Sequence, residues 1–322
     1  MVATLLFSIA ISIAFVIFVF AVWTELGPPE LLKRSAVSSP IATRSRGRRR
    51  MRDTYAVNPD EQQVVVLGSG FAGVSAMRAL AGAGVHVTLV DQHPYSTFRP
   101  LLYQVATGGL NPGDVTFPLR TLSARYRAHY RRAKVVGIDQ RNRRVLVDEG
   151  APIGYDYLIT SIGSTTNHFG VPGAAEHALS LYTRSEALDV RDAIFGHLEK
   201  IASKSAPGTG RFTVVIVGGG PTGVETAGAI ADLKRAMITR TFPELKPSEI
   251  NVILIEATDA LLPPFHPKLQ QYTYRLLNKY GVQVRLRTVI TKVTEDRVEL
   301  EDGTSIPADL VIWAAGVTAH SE

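Results

Sequence analysis

The stretch Val64-Val-Val-Leu-Gly68-Ser-Gly70-Phe-Ala-Gly73 runs an apolar strand straight into a GxGxxG turn, followed by a helical pattern through Leu80. A second strand pattern, His86–Asp91, ends on an acid 23 residues after Gly68. Each part has a physical reason. Gly68 permits the tight turn, Gly70 lets the backbone approach a pyrophosphate, and Gly73 allows the helix to pack closely on the strand. The pyrophosphate sits at the helix N-terminus, where unpaired N–H groups and the helix dipole favour an anion, and Asp91 accepts from ribose hydroxyls. A lone glycine turn often serves only as a turn. Strand, turn, helix, strand and acid in this order predict a Rossmann-like unit.

The pattern recurs. Phe212-Thr-Val-Val-Ile-Val-Gly218-Gly-Gly220-Pro221-Thr222-Gly223 again joins a strand to a helix, here Val224–Leu233, and Asn251–Glu256 is a strand ending on an acid. That acid lies 38 residues after Gly218, more than the usual spacing of about 20, and Thr241–Ser248 reads as an inserted loop. Glu256, with no Arg directly after it, favours NADH over NADPH. Two fingerprints 150 residues apart predict that one chain holds two dinucleotides.

Between and beyond them the coarse pattern continues. Lys134–Ile138 and Arg144–Asp148 read as a hairpin, and Tyr157–Ser161 as a buried strand ending at Gly163. Thr183-Arg-Ser-Glu186 has capping-box spacing and opens an amphipathic helix to about Ser203. Val282–Leu286, a hairpin around Glu301–Gly303 and the apolar strand Asp309–Trp313 complete the order. The arginines of 120–132, interleaved with Leu122, Tyr126 and Tyr130, read as a solvated helix face over a core stripe rather than a nucleic-acid surface.

Composition narrows the chemistry. The 322 residues suffice for two domains and include no cysteine, which removes dithiol redox mechanisms, thiolate metal sites and iron–sulfur clusters. The eight histidines show no HExxH-type spacing, and no metal is expected. The net charge of +6 belongs entirely to residues 1–52, where eight Lys/Arg oppose Glu25 and Glu30; the remainder holds 27 basic and 27 acidic residues. A basic pI therefore says nothing about an anionic substrate for the folded body.

Val2–Trp23 is an apolar run broken only by Thr4, Ser8 and Ser12. As a helix it would extend about 33 Å, matching a hydrocarbon core about 30 Å thick. No basic residue precedes it and all nearby ones follow it, so residues 1–23 are expected to span the cell (inner) membrane once, with the body on the cytoplasmic side. Residues 24–60 read as a basic linker whose cluster Arg44–Arg52 attracts anionic lipid headgroups; no nucleic acid is expected. Met51 is an alternative start that would leave residues 1–50 as mistranslated upstream sequence.

Phe98-Arg-Pro-Leu-Leu-Tyr-Gln104-Val-Ala-Thr107-Gly108, with Leu110–Asp114 and Pro118–Arg120, resembles type II NADH dehydrogenases, the non-proton-pumping NADH:quinone oxidoreductases of the two-dinucleotide flavoprotein family. So do Gly219–Gly228, Phe169–Gly173 and Val311–Val317, and the likeness runs from about Val64 to His320. The resemblance implies an α/β fold of two Rossmann-like domains, with FAD on the first fingerprint and NADH on the second. The NADH domain (179–322) is inserted in the FAD domain, whose first segment is 61–178. It implies hydride transfer from NADH to flavin and onward passage of two electrons to a membrane quinone. It places Gln104 beside the flavin and quinone pocket and Glu225 facing the nicotinamide; the plainer readings are a turn cap for Gln104 and a helix-dipole contact for Glu225. Cofactor contacts are expected at Gly68, Gly70, Phe71, Ala72, Gly73, Asp91, Thr107, Gly108, Val136, Gly163, Gly218, Gly220, Pro221, Thr222, Gly223, Glu256, Ala315 and Gly316. Partners expected are NADH, quinone, membrane lipid through the N-terminal span and, as an option, a second copy of the chain.

Two departures accompany the likeness. Ser161-Ile-Gly163 stands where the family reads Ala-Thr-Gly. The family's return segment to the FAD domain, with the Gly-Asp that holds the flavin ribityl chain, has no counterpart before Glu322. A truncated record is the expected reason, with a split gene or a degenerate protein as alternatives. Two other functions follow: a membrane-tethered NADH-binding protein without turnover, or a flavoprotein reductase of a ferredoxin- or rubredoxin-type acceptor.

Overall fold

The computed structural model describes residues 61–203, 211–236 and 238–320. The expected membrane span and basic linker lie outside these residues. Among the described residues no helix is long and apolar enough to cross a membrane.

The run Val64–Leu67 is buried at every position, as expected for a parallel strand covered on both faces. This strand, β1 (Gln63–Leu67), pairs in parallel with β2 (His86–Asp91), which pairs in turn with β3 (His129–Arg132). On its other side β1 pairs with β4 (Tyr157–Thr160), giving the order β3-β2-β1-β4. Helix α1 (Phe71–Ala79) follows β1 and buries Gly73 and Met77. Two expectations change here. Among the described residues β4 is an edge strand, and Tyr157 is 56% exposed instead of buried. The arginine-rich stretch is not one helix: the helix covers only Leu119–Arg125, the backbone turns at Arg127 (φ 56°), and Arg131 and Arg132 lie in β3.

The second sheet has the parallel order β5 (Ala178–Ser180), β9 (Leu310–Trp313), β6 (Phe212–Val217), β7 (Ile250–Ile255) and β8 (Val282–Arg285). All six residues of β6 are buried, in keeping with its central place. Helix α3 (Arg184–Ala202) opens on the expected capping box. Thr183 Oγ1 accepts from the Glu186 N–H at 3.2 Å, and Glu186 Oε2 accepts from the Thr183 N–H at 2.6 Å. Its buried stripe is Ala187, Val190, Ile194, Leu198 and Ile201, one face at helical spacing. Helix α4 (Pro221–Ala236) follows β6, and α5 (Pro267–Lys279) precedes β8. The expected inserted loop, Thr241–Ser248, starts on the last residue of a short helix, Ile238–Thr241, and its Phe242 and Leu245 are buried in the core.

Two features join the halves. The five-residue helix α2 (Leu102–Ala106) lies between β2 and β3 in sequence, yet Leu102, Val105 and Ala106 share one core with Ile194, Ile216, Ala227 and Ile230 of the second lobe. The strands Ser164–Thr166 and Val317–Ala319 pair antiparallel, so the chain passes into and out of the second lobe side by side.

Candidate functional site

Both glycine loops are built to the same plan. Gly68 has φ +88°, and a Cβ there would lie 2.3 Å from the Ser161 carbonyl oxygen. Gly218 has φ +109°, and its Cβ would lie 2.6 Å from the Ala314 carbonyl oxygen and from the Ala315 Cα. No L side chain fits either turn. At Gly73 and Gly223 a Cβ would fall 1.9 Å from the carbonyl oxygen of Gly68 and Gly218 respectively, so the close approach runs from each helix to the head of its own loop. Gly70 and Gly220 have open space where a Cβ would be. Beside each opening a helix begins: Val74 N–H bonds the Gly70 carbonyl and Val224 N–H the Gly220 carbonyl, both at 3.0 Å. Phe71, Ala72 and Gly73 open α1, which no side chain caps; Pro221, Thr222 and Gly223 open α4. Helix N-termini whose first N–H groups have no intrahelical acceptor, each next to a glycine with open space, suit a pyrophosphate.

The acids repeat the symmetry. Asp91 Oδ2 accepts from the Ser69 N–H (2.7 Å) and Ser69 Oγ (2.6 Å), and its Oδ1 from the His93 N–H (2.8 Å). Glu256 Oε2 accepts from the Gly219 N–H (2.6 Å) and Oε1 from the Thr258 N–H (2.7 Å). Each carboxylate thus braces the second residue of its glycine loop. Since a carboxylate has about four acceptor positions, both retain capacity for a ribose hydroxyl. Sequence reasoning missed these braces and also Ser161, whose hydroxyl donates to the Leu67 carbonyl at 2.6 Å. The departure from Ala at that position therefore ties β4 to the end of β1.

Around the first loop, Phe71 is 51% exposed and meets Phe98 edge-on at 5.6 Å. Val136 is exposed on the strand Val135–Asp139, and Gly163 holds φ +77°. Ala315 packs on the second core, and Gly316 is covered by Phe169, whose ring would lie 2.9 Å from a Cβ. Thr107 is buried, with Oγ1 on the Tyr103 carbonyl at 2.9 Å, and Gly108 (φ +76°) lies under the Phe195 ring.

Glu225 sits half-buried in the first turns of α4, and burial pushes its carboxyl up to about 7. No ion pair among the described residues involves it. Gln104 on α2 donates from Nε2 to Tyr103 Oη at 3.0 Å, and its backbone carbonyl accepts from the Gly109 N–H at 2.7 Å. Because α2 packs against α4, the elements carrying Gln104 and Glu225 share one core. No hydrogen bond joins the two side chains.

The profile of the family described as pyridine nucleotide-disulphide oxidoreductase matches residues 62–322. The chain is 38% identical over 268 residues to the type II NADH:quinone oxidoreductase NdhA of Mycobacterium tuberculosis, covering 80% of this chain and 57% of that protein. It is 29% identical to the external alternative NADH-ubiquinone oxidoreductase of Yarrowia lipolytica mitochondria, covering 83% and 50%. NDH2 of Plasmodium falciparum in complex with NADH superposes with a TM-score of 0.75 at 23% identity, covering 81% of this chain and 56% of that one. The chain thus spans about half the length of the curated relatives it matches.

Proposed function

The chain belongs to the pyridine nucleotide-disulphide oxidoreductase family, and from that footing we propose that it serves NADH:quinone oxidoreduction, with FAD on the Gly68–Gly73 loop and NADH on the Gly218–Gly223 loop. The observation that carries this reading is the duplication of one device: a forced glycine turn, an open glycine at an N-terminus, and an acid bracing the loop. The 322 residues contain no cysteine, so no dithiol within them relays electrons. The likeness to NdhA directs the acceptor reading to a quinone.

When bound, flavin supplies the redox chemistry by accepting a hydride from reduced nicotinamide and passing two electrons on. The protein binds and orients. Asp91 and Glu256 hold the ribose ends, and the starts of α1 and α4 hold the pyrophosphates. The Leu101–Gly108 segment and α4 bring Gln104 and Glu225 to the reacting ends. Glu225, with its carboxyl near neutrality, presents either a donor or an acceptor at its Oε atoms. The Thr107, Gly108, Val136, Gly163, Ala315 and Gly316 contacts belong to the same reading. So do the partition into FAD (61–178) and inserted NADH (179–322) domains, supported by the paired strands Ser164–Thr166 and Val317–Ala319, and the tethering of the body to a membrane by residues 1–60.

The test is spectroscopic. The full chain is purified and its visible spectrum recorded before and after anaerobic NADH, then after a soluble quinone. A flavin band that bleaches and recovers supports the proposal. A band that bleaches with NADH but recovers only with a ferredoxin or rubredoxin reassigns the acceptor, and a flavin indifferent to NADH overturns the proposal.

A further inference from the structure

Two arginines, one after β2 and one opening α3, have no acid. None of the five ion pairs among the described residues includes Arg99 or Arg184. Each instead rests on a tyrosine from the opposite lobe. The Arg99 guanidinium, from the segment after β2, lies 4.0 Å from the centroid of the Tyr182 ring, just after β5. The Arg184 guanidinium, at the first position of α3, lies 5.2 Å from that of Tyr95, again after β2. The contacts are crossed, one arginine and one tyrosine from each side.

Three observations say that Arg184 lacks a partner. Arg184 Nε is buried with no hydrogen-bond acceptor, and a buried unmade bond from a charged donor is costly. Arg184 also occupies the first turn of a 19-residue helix, the end at which the dipole disfavours a cation and favours an anion. The nearby acid, Glu186, is committed to the N–H groups of Tyr182 and Thr183 through Oε2.

The surroundings say which ligand is missing. The strand carrying Tyr95 is joined to the first loop by Ser96, whose hydroxyl donates to the Ser69 carbonyl at 2.7 Å. The Arg99 guanidinium lies 3.6 Å from the place of a Cβ on Gly163, two residues beyond the Ser161 that backs Gly68. Arg99 Nη1 donates to Tyr182 Oη, which is also hydrogen-bonded to Ser164 Oγ, so the guanidinium is held on its ring. Planar guanidinium forks match phosphate oxygens in pairs.

We propose that Arg99 and Arg184 form a side-chain seat for the pyrophosphate of the dinucleotide on the first glycine loop, facing the backbone seat at the start of α1. The tyrosines hold the two forks in place before the ligand arrives, and the seat draws one fork from each lobe. The proposal rests on the reading that FAD occupies this loop.

The test titrates the full chain with FAD, riboflavin and NADH, following flavin fluorescence quenching and nucleotide fluorescence, for the wild type, Arg99→Gln, Arg184→Gln and the double variant. Thermal midpoints are measured without ligand. Each single variant is expected to weaken FAD by about tenfold or more, the range of a charge-assisted hydrogen bond. Riboflavin, which has no phosphate, and NADH should bind as to the wild type, and the unliganded midpoint should not fall. Arg99→Lys, which keeps the charge but not the fork, should recover part of the loss. Equal loss of FAD and riboflavin, or a fall of the unliganded midpoint in step with FAD affinity, would mean that the crossed pairs only latch the lobes and would overturn the proposal. Weakened NADH with unchanged FAD would overturn it by assigning the seat to the other dinucleotide. A wild type that binds riboflavin and NADH but not FAD rejects the pyrophosphate seat alone; one that binds no flavin rejects the reading beneath it.

Discussion

Glu225 offers a stability measurement with a sign fixed by its surroundings. Burial raises its carboxyl from an ordinary 4.5 to about 7, with no basic group to offset the cost. Between those two pH values the folded chain binds more protons at this site than the unfolded chain, so stability falls as pH rises through the window, and the whole penalty is present above 7. At about 1.4 kcal/mol per pH unit, the shift corresponds to at most about 3.5 kcal/mol. Glu225→Gln keeps the shape and removes the titration. Its advantage over the wild type should be under about 1 kcal/mol at pH 5 and grow toward about 3 kcal/mol at pH 8. That would move the thermal midpoint on the order of 5 °C or more, given the usual few degrees per kcal/mol. The assay is denaturant and thermal unfolding of both proteins from pH 5 to 8 without nucleotide. Parallel stability curves would refute the reasoning. A Gln variant less stable than the wild type at pH 8 would do so more sharply, since it would mean that the ionised carboxylate is stabilised where it lies.

The open and closed glycines separate binding from folding. Gly70→Ala and Gly220→Ala should keep the unliganded thermal midpoint while weakening FAD and NADH respectively by more than about tenfold in fluorescence titrations; Gly68→Ala and Gly218→Ala should instead lose more than about 2 kcal/mol in urea unfolding, because they force a side chain onto backbone at positive φ. Thr183→Ala removes half of the capping box at the start of α3 and should cost about 1 kcal/mol by the same method. Glu256→Gln removes the negative charge beside the second ribose, and the preference for NADH over NADPH in binding titrations should narrow by about tenfold.

The parts that were legible in sequence are those governed by local backbone chemistry. Gly68 and Gly218 sit at turns only glycine can make, Asp91 ends its strand and Glu256 directly follows its own, and Thr183 with Glu186 caps the helix its spacing announces. What escaped depends on residues distant in sequence. The apolar run at Tyr157–Ser161 resembles an interior strand, but burial depends on what lies on both sides of it, and its place is at the sheet edge. The arginines of 120–132 have helical periodicity, but pairing of His129–Arg132 with β2 draws two of the five into a strand. Phe242 and Leu245 look like loop residues by their Pro-rich neighbours, yet they are buried in the core that α2 shares with α3 and α4. The sequence marks Asp91 and Glu256 as nucleotide ligands; their bracing of Ser69 and Gly219 leaves no local pattern, because each brace joins two segments distant in sequence. No local pattern marks Arg99 and Arg184, whose tyrosines lie 83 and 89 residues away.

The placement of α2 bears on how far the two halves are separable as modules. Leu102, Val105 and Ala106 are at most 2% exposed, and what covers them is α3 and α4 of the other lobe. Excising either Rossmann unit would therefore strip apolar surface from both, and grafting one onto a relative would require the recipient to match these three side chains. In native-state hydrogen exchange, amides of β1 and β6 should open in a single cooperative event, not as two independent subunits of stability. Variation that alters the first nucleotide unit is thus constrained through five residues by the packing of the second.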